Sequence, residues 1–244
     1  MPLPRGKSRQ LELEFPKTWG GKRTGAGRKP RKGARTSVPH RPRAAHRAAH
    51  PVHVTMRARD GLPPFREEAL FGAIRDAIRH ASHSRAVGGA FRVVHFSVQR
   101  DHLHLIVEAH DRSFLSRGMQ GLAVRVARAV NRVLRARGRV IGERFHAHEL
   151  RTPREVRNAL VYVLMNVRKH ARQRAPALAI DGFSSAPWFD GFREAVGPPP
   201  AGERPVVRPR TWLASTGWRR RGLIGLGEAP FKPEPVTRAA TTKR

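Results

Sequence analysis

Cysteine is absent from the 244-residue chain, and tyrosine occurs once. Without thiols the protein forms neither disulfides nor a thiolate-rich zinc site, and its redox compartment stays open. Apolar runs are also short, since none approaches the roughly 18 residues that a membrane-spanning helix needs. The first residues lack the apolar stretch of a signal peptide. We therefore expect a cytoplasmic protein without a membrane partner.

Acidic residues are scarce as well, and this leaves a large positive charge. The chain has 49 Lys and Arg against 18 Asp and Glu, a formal net charge of +31 at pH 7. In a compact monomer these positive charges repel one another, and together they attract a polyanion. The charge therefore predicts salt-sensitive binding to nucleic acid. Most of the cations are arginine, which binds phosphate through a planar fork. We expect a nucleic acid as the partner.

Composition divides the chain into three segments. Residues 1–49 hold 14 basic and 2 acidic residues and few large apolar ones, which predicts a disordered DNA-binding arm. In this arm Arg28 and Lys29 form either a short hook for A·T-rich minor grooves or a generic basic tail. Residues 171–244 are predicted to be a basic, Pro/Gly-rich extension of low order. Its aromatic residues can stack on unpaired bases or pack back onto the domain.

The central segment, residues 50–170, carries the periodic signal. Alternating apolar residues predict four strands, and apolar stripes at helical spacing predict three helices. The predicted strands lie in 51–59, 91–99, 101–109 and 143–150, and the predicted helices in 67–81, 113–137 and 152–170. The order is strand, helix, strand, strand, helix, strand, helix. It predicts an α+β domain in which helices pack on a mostly antiparallel sheet.

An arginine row follows one side of the second predicted helix. Its members are separated by 3, 4, 3 and 4 residues, which places them on one helical face: Arg125, Arg128, Arg132, Arg135 and Arg139. An arginine row is often only a solvated face. Here no acidic partner lies one turn away, and this favours a row that binds DNA phosphates.

Two histidines mark the third predicted strand. Side chains alternate along a strand, so His102 and His104 point to one face, with Glu108 farther along the same face. Neutral imidazole is a common metal ligand, and two rings on one face can chelate one ion. The same spacing recurs at His146 and His148, so it can also arise by chance. The first pair has the more apolar strand and therefore the more rigid scaffold.

The last predicted helix carries the single tyrosine. Thr152 at the N-cap, Pro153 in the first turn and Glu155 three residues after the cap are a strong helix start. Tyr162 and Asn166 lie four residues apart and are expected on one face of this helix. Alone, a tyrosine off the apolar stripe is usually an ordinary surface residue.

Taken together, the His102–His104 strand followed by the Tyr162–Asn166 helix resembles the HUH single-tyrosine transposases, most closely the REP-associated tyrosine transposase branch. The resemblance covers residues 50–170. It implies a ferredoxin-like HUH-nuclease sandwich in which His102, His104 and Asn166 hold Mg²⁺ or Mn²⁺. Tyr162 would attack a DNA phosphate, forming a 5′-phosphotyrosine and releasing a 3′-OH. The implied substrate is hairpin or single-stranded DNA, such as REP-like palindromes, and the implied assembly is a monomer or homodimer. The resemblance thus implies that the nucleic-acid partner is DNA and, in a bacterial cell, implies association with the nucleoid.

One departure from the family pattern concerns the end of this helix. Related members often have proline after the asparagine, where this chain has Val167, so we expect the helix to continue past Asn166. Lys169 is then expected to bind DNA or to stabilise the tyrosine phenolate. Two other functions stay open at this stage. One is a non-catalytic basic nucleic-acid-binding protein, and the other is a metal hydrolase that uses His102, His104 and water.

Overall fold

A computed structural model describes residues 45–83, 89–166 and 180–229. In these residues the elements follow the predicted order. They are β1 (Val52–Arg57), α1 (Glu68–His83), β2 (Phe91–Val98), β3 (His102–Ala109), α2 (Arg112–Val133), β4 (His146–Glu149), α3 (Pro153–Leu164) and the short α4 (Trp212–Ser215). Short 3₁₀ helices lie before α4 at Ala186–Trp188 and after it at Gly217–Arg221. The predicted α+β class is confirmed.

The four strands form one sheet in the order β2-β3-β1-β4. Every neighbouring pair is antiparallel. The tight link at Arg100–Asp101 makes β2 and β3 a hairpin, as predicted. β1 then lies between β3 and β4, so His53 is opposite His148 and Thr55 is opposite His104.

Each face of the sheet packs against a different part of the chain. On one face α1 and α2 pack over Val54, Met56 and Leu105. On the other face α3 packs with Ile106 and Val94. The alternation of β1, in which every second residue is buried, thus separates an apolar side from the side that carries His53 and Thr55.

The start of α3 agrees with the prediction, and its end does not. The Thr152 hydroxyl accepts a hydrogen bond from the Glu155 N–H at 3.2 Å, and the Glu155 carboxylate accepts one from the Thr152 N–H at 3.0 Å. This is a complete capping box. The predicted continuation past Asn166 is wrong, because α3 ends at Leu164 and Met165 is its C-cap. Met165 leaves helical geometry with φ −108° and ψ 13°.

The end of α2 is also a correction. The helix was expected to extend to residue 137, but it ends at Val133, where the backbone N–H of Leu134 caps the last turn. Arg135 then adopts a left-handed φ of 49°. Because L-residues do not continue a right-handed helix from that region, Arg135 and Arg139 leave the helical face that Arg125 and Arg132 share.

The C-terminal extension is a further correction. Residues 180–229 are not a low-order tail, because Trp218, 1% exposed, packs with Phe189 in the core under α3. Of the two alternatives for the aromatic residues, Trp218 therefore packs onto the domain. The extension is also tied to β3, since the Glu108 carboxylate accepts hydrogen bonds from the backbone N–H and the hydroxyl of Thr211, both at 2.8 Å.

The end of the predicted N-terminal arm also contacts the sheet. His46 Nε2 lies 2.9 Å from the Ala109 carbonyl oxygen, and its Nδ1 lies 3.1 Å from Glu149. The predicted boundary of the arm at residue 49 is therefore too late, because His46 already packs on the sheet. Residues 1–44 lie outside the described part. Across the described ranges, no helix has both the length and the apolar character to cross a membrane.

Candidate functional site

The first histidine pair meets at the end of β3 nearest the β2–β3 hairpin link. Because residues two apart share a face, both rings stand on the α3 side of the sheet, with ring centroids 4.6 Å apart. The Nε2 atoms of His102 and His104 approach to 3.0 Å. At that distance one ring N–H can donate to the other ring, or both lone pairs can point at one cation.

Each ring is oriented through its outer nitrogen. Nδ1 of His102 lies 2.7 Å from an Asp101 carboxylate oxygen, and Nδ1 of His104 lies 3.1 Å from the Thr55 hydroxyl. The carboxylate fixes the proton of His102 on Nδ1, so Nε2 of the neutral ring is a lone pair. The Thr55 hydroxyl can donate or accept. The two Nε2 atoms can therefore share one hydrogen bond, or they can present two lone pairs to a cation.

Asp101 is itself held in place. The Arg57 guanidinium approaches its carboxylate at 2.5 Å. Burial alone would raise the pKa of Asp101. The hydrogen bond to His102 and the charges of His102 and Arg57 outweigh burial and lower the pKa below its ordinary value. Asp101 is thus an anion at neutral pH and a constant partner for His102.

The histidine pair fits a divalent metal ion in its chemistry. Two nitrogen ligands about 2.1 Å from one ion and at right angles lie about 3.0 Å apart, which is the separation of the two Nε2 atoms. Metal-binding histidines also give their outer N–H to a carboxylate or a similar acceptor, as His102 does. Within the described ranges, no group of three or more His, Asp or Glu could hold a metal ion, so a third ligand from these ranges would be an amide, hydroxyl or carbonyl oxygen.

The single tyrosine lies beside this pair. The Tyr162 ring packs edge-to-face on His104, with centroids 4.8 Å apart and planes at 82°. The ring is partly exposed on α3. The structure thus brings His102, His104 and Tyr162 together at one place on one face of the sheet.

A third histidine, His53, packs beside His104 and Tyr162. The sequence did not single it out. The His53 ring lies 5.4 Å from His104 and 5.5 Å from Tyr162 between centroids. Burial, and to a lesser degree the nearby His148, lowers the pKa of His53 to about 4, so the ring is neutral at pH 7. The signal for it was present, since β1 alternation put His53 on the polar side with Thr55.

Asn166 ends in a different environment from the expected one. Because α3 stops at Leu164, Asn166 is not part of a continuous helical face with Tyr162. It is 1% exposed, and neither its amide nitrogen nor its amide oxygen has a hydrogen-bond partner in the described structure. An unsatisfied buried amide is costly. Its free oxygen is the feature that keeps Asn166 eligible as a metal ligand.

A pocket of about 480 Å³ opens next to Tyr162, between α3, β4 and the end of the described extension. Its walls include both members of the cross-strand pair of His53 and His148. Asn158 and Arg157 line it on the α3 side, and Glu228 of the extension also lines it. The second His-x-His motif, which looked like a chance repeat, therefore supplies His148 to the surroundings of the tyrosine.

The arginine row lies on the other side of the sheet. Arg125, Arg128 and Arg132 line a groove of about 450 Å³ between α1 and α2, and α2 covers the face opposite to Tyr162. None of the three forms an ion pair with an acidic residue in the described part of the chain, where the ion pairs involve other arginines. The row therefore can contact phosphate only on the face away from the histidine pair. The three other basic residues expected to bind DNA are in ranges that the structure does not describe: Arg28, Lys29 and Lys169.

Comparison with known proteins gives only remote likeness, and only to solved structures. No family model matches the chain, and no curated protein matches it. Among solved structures, the chain is similar to one described as the REP-associated tyrosine transposase bound to a REP hairpin. The TM-score is 0.48 at 17% sequence identity, over 61% of this chain and 82% of that one. A likeness at this level leaves the family of the chain open.

Proposed function

We propose that this protein cuts and rejoins single-stranded or hairpin DNA through a covalent bond to Tyr162. The observation that carries the proposal is the convergence of the His102 and His104 Nε2 atoms at 3.0 Å, with the Tyr162 ring 4.8 Å from His104. A nucleophile beside a site that suits a cation is the minimum apparatus for phosphoryl transfer. In this proposal the protein is a transposase or a domesticated relative of one.

The covalent step needs only the tyrosine as nucleophile. The Tyr162 hydroxyl oxygen forms a bond to the phosphorus of a phosphodiester, and the bond from phosphorus to the 3′ oxygen breaks. The hydroxyl proton is lost, and the departing 3′ oxygen gains a proton to give a 3′-OH. The 5′ end remains on the protein as a phosphotyrosine. This bond stores the energy of the cleaved diester, so a second 3′-OH can restore it without a high-energy cofactor.

In this proposal His102, His104 and the amide oxygen of Asn166 hold the divalent metal ion. Mg²⁺ prefers oxygen ligands, and imidazole suits Mn²⁺ better, so a site with two nitrogens favours Mn²⁺. When bound, such an ion polarises a phosphoryl oxygen and orients the diester for in-line attack. Asp101 and Thr55 would not contact the ion themselves; they fix the ring orientation of the two histidines through the Nδ1 atoms.

Charge and topology support the same proposal. The net charge of +31 attracts DNA independently of its sequence. The order β-α-β-β-α-β with the strand order β2-β3-β1-β4 supports an interpretation as the split βαβ arrangement of ferredoxin-like domains. We therefore include a ferredoxin-like HUH-nuclease sandwich in the proposal. In this sheet the histidine strand β3 is an inner strand, and the tyrosine helix α3 packs over it.

The test is covalent capture of DNA. Purified full-length protein is incubated with labelled single-stranded hairpin DNA and Mn²⁺, and the products are separated under denaturing conditions. We expect an adduct that survives denaturation. Because Tyr162 is the only tyrosine in the chain, digestion of the adduct has to release the label on the peptide that contains residue 162.

Three variants separate the alternatives. Tyr162→Phe keeps the ring and loses the nucleophile, so it should form no adduct and leave the DNA uncut. His104→Ala should lose the adduct, while His83→Ala, at an exposed histidine that ends α1, should form it like wild type. If Tyr162→Phe still cuts, a metal hydrolase explains the site. If wild type binds hairpin DNA but gives no adduct across varied substrates, the protein is a basic DNA-binding protein and the tyrosine mechanism is wrong.

A further inference from the structure

The pocket beside Tyr162 has no task in the cutting reaction. It measures about 480 Å³ and lies over the β4 side of the tyrosine, whereas the histidine pair lies on the β3 side. Pockets of about 300–1,000 Å³ are the usual size for small organic ligands. A site of this size against a nucleophile invites the question of which part of the DNA enters it.

The one guanidinium among the described residues of its wall is already paired with a carboxylate. The Arg157 guanidinium donates to both carboxylate oxygens of Glu228, at 2.9 and 2.7 Å, and to the Leu223 carbonyl at 2.9 Å. The Glu155 carboxylate accepts from the Thr152 N–H in the capping box. Among the described residues of the lining, no other Lys or Arg faces the pocket. A phosphate would therefore meet two carboxylates and no free cation, so the pocket suits an uncharged group.

Three side chains in the wall can contact such a group. Asn158 and Tyr162 are four residues apart within α3 and lie on one helical face. Asn158 is exposed, and its amide makes no hydrogen bond in the described part of the protein, so both its donor and its acceptor are available. His148 is exposed on β4 and presents an imidazole face. Val161 and Ala159 supply apolar surface.

We propose that this pocket holds an unpaired nucleobase next to the scissile phosphate and that Asn158 selects it. The inference rests on the proposed function. A flat uncharged base can stack on the imidazole and phenol rings. The Asn158 amide can then pair with the Watson–Crick or Hoogsteen edge. Asparagine pairs bidentately with N6 and N7 of adenine, so adenine is the base we assign to the pocket.

The experiment uses a hairpin DNA whose single-stranded flank is randomised. The pool is selected in two ways with full-length protein. In the first, the Tyr162→Phe protein, which cannot cut, retains the sequences that it binds. In the second, wild type with Mn²⁺ captures covalent adducts, and sequencing them gives both the junction and its neighbouring bases. Asn158→Ala is made in both backgrounds, and Gln120→Ala, an exposed amide on α2, is the matched control.

We expect one flank position to be enriched in adenine in both selections, by about 5- to 150-fold over the other bases. Asn158→Ala should flatten that position and lower the affinity for the adenine sequence by the same factor. Gln120→Ala should leave the position and the affinity unchanged. If the preference persists in Asn158→Ala, or if every flank position is unselective in wild type, the base-reading pocket is wrong.

The two proposals fail in different ways. An adduct that forms without any Asn158-dependent preference retains the cutting reaction and overturns the pocket. An Asn158-dependent preference in the binding selection, with no adduct from wild type, retains base reading and overturns the tyrosine mechanism. Selection of a base other than adenine that still depends on Asn158 overturns the adenine assignment.

Discussion

Replacing Trp218 with alanine tests whether residues 180–229 are part of the folded core. The indole is 1% exposed and lies 5.5 Å from the Phe189 ring between centroids. Its Nε1–H donates to the Ala214 carbonyl at 3.1 Å. The neighbouring backbone is close as well, because a Cβ on Gly191 would lie 2.3 Å from the indole. The ring therefore fills a defined site between the extension and α3.

The expected loss follows from the buried surface. A fully buried tryptophan removes about 200 Å² from water, which at about 25 cal/mol per Å² is worth about 5 kcal/mol. The lost hydrogen bond adds about 1 kcal/mol, and relaxation of the neighbours and the surface that alanine still buries recover part of the sum. Measured Trp→Ala changes in protein cores cost about 3–5 kcal/mol. We expect Trp218→Ala to lower the free energy of unfolding by about 4 kcal/mol.

The assay is urea unfolding followed by circular dichroism, with the slope of the transition compared between variants. Trp212→Ala is the control, since Trp212 belongs to the same extension but is 49% exposed, and it should lose about 1–2 kcal/mol. The reasoning would be refuted if Trp218→Ala lost less than about 1 kcal/mol or no more than Trp212→Ala. That result would return residues 180–229 to the status of a tail.

Three further predictions concern the site, acid stability and helix packing. Thr55→Val removes the hydroxyl behind the second histidine and should weaken Mn²⁺ binding, measured by titration calorimetry, by about 10- to 100-fold; unchanged affinity would contradict the assigned role. Burial, helped by a nearby guanidinium, lowers the pKa of His95 to about 3, so the unfolded chain takes up this proton first as the pH falls. The stability that His95 contributes is full above about pH 6.5 and should fall by about 2–3 kcal/mol at pH 4.5; His53, with its pKa lowered to about 4, adds a further loss over the same range. His95→Gln should flatten this part of the stability–pH curve, and an unaltered curve would show that another group titrates. Gly118→Ala should lower the free energy of unfolding in urea by about 1–3 kcal/mol, because its Cβ would lie 2.1 Å from the buried Phe91 ring. Gly72→Ala, whose Cβ would have nothing within 4 Å, should raise it by about 0.5–1 kcal/mol. Equal effects of the two substitutions would contradict the packing of α2 on β2.

Local patterns predicted the elements well because each pattern has a local cause. The alternation through Val52, Val54 and Met56 followed from a strand with one buried face, and the structure has it at these residues. The capping box at Thr152 and Glu155 is a contact between residues three apart, so sequence alone specifies it. The helix ends were less predictable, since Arg135 stops α2 through its backbone conformation and not through a Gly or Pro signal.

The missed features depend on contacts between distant residues. His53 looks like an ordinary polar residue of a strand, and only the insertion of β1 between β3 and β4 brings it within 5.4 Å of His104. Trp218 has no periodic partners in sequence, and its burial arises from packing against a helix that ends more than fifty residues earlier. Strand order is likewise not local, so the sequence alone does not show that β4 pairs with β1 and brings His148 next to His53 and the pocket beside Tyr162.

The placement of the site follows from incomplete coverage of one sheet face. Four strands about 4.8 Å apart span about 14 Å between the outer axes, whereas one helix is about 10 Å wide, so two helices cover a face and one does not. α1 and α2 together cover the apolar side. On the other side α3 lies over β2 and β3, and the extension pairs along β2 through the bridge from Ser97 to Ser184. Within the described ranges, the β1–β4 half of that face carries the polar residues His53, Thr55 and His148 and no covering helix. In the proposed function, this is the side from which a substrate reaches Tyr162 without unfolding of the described core.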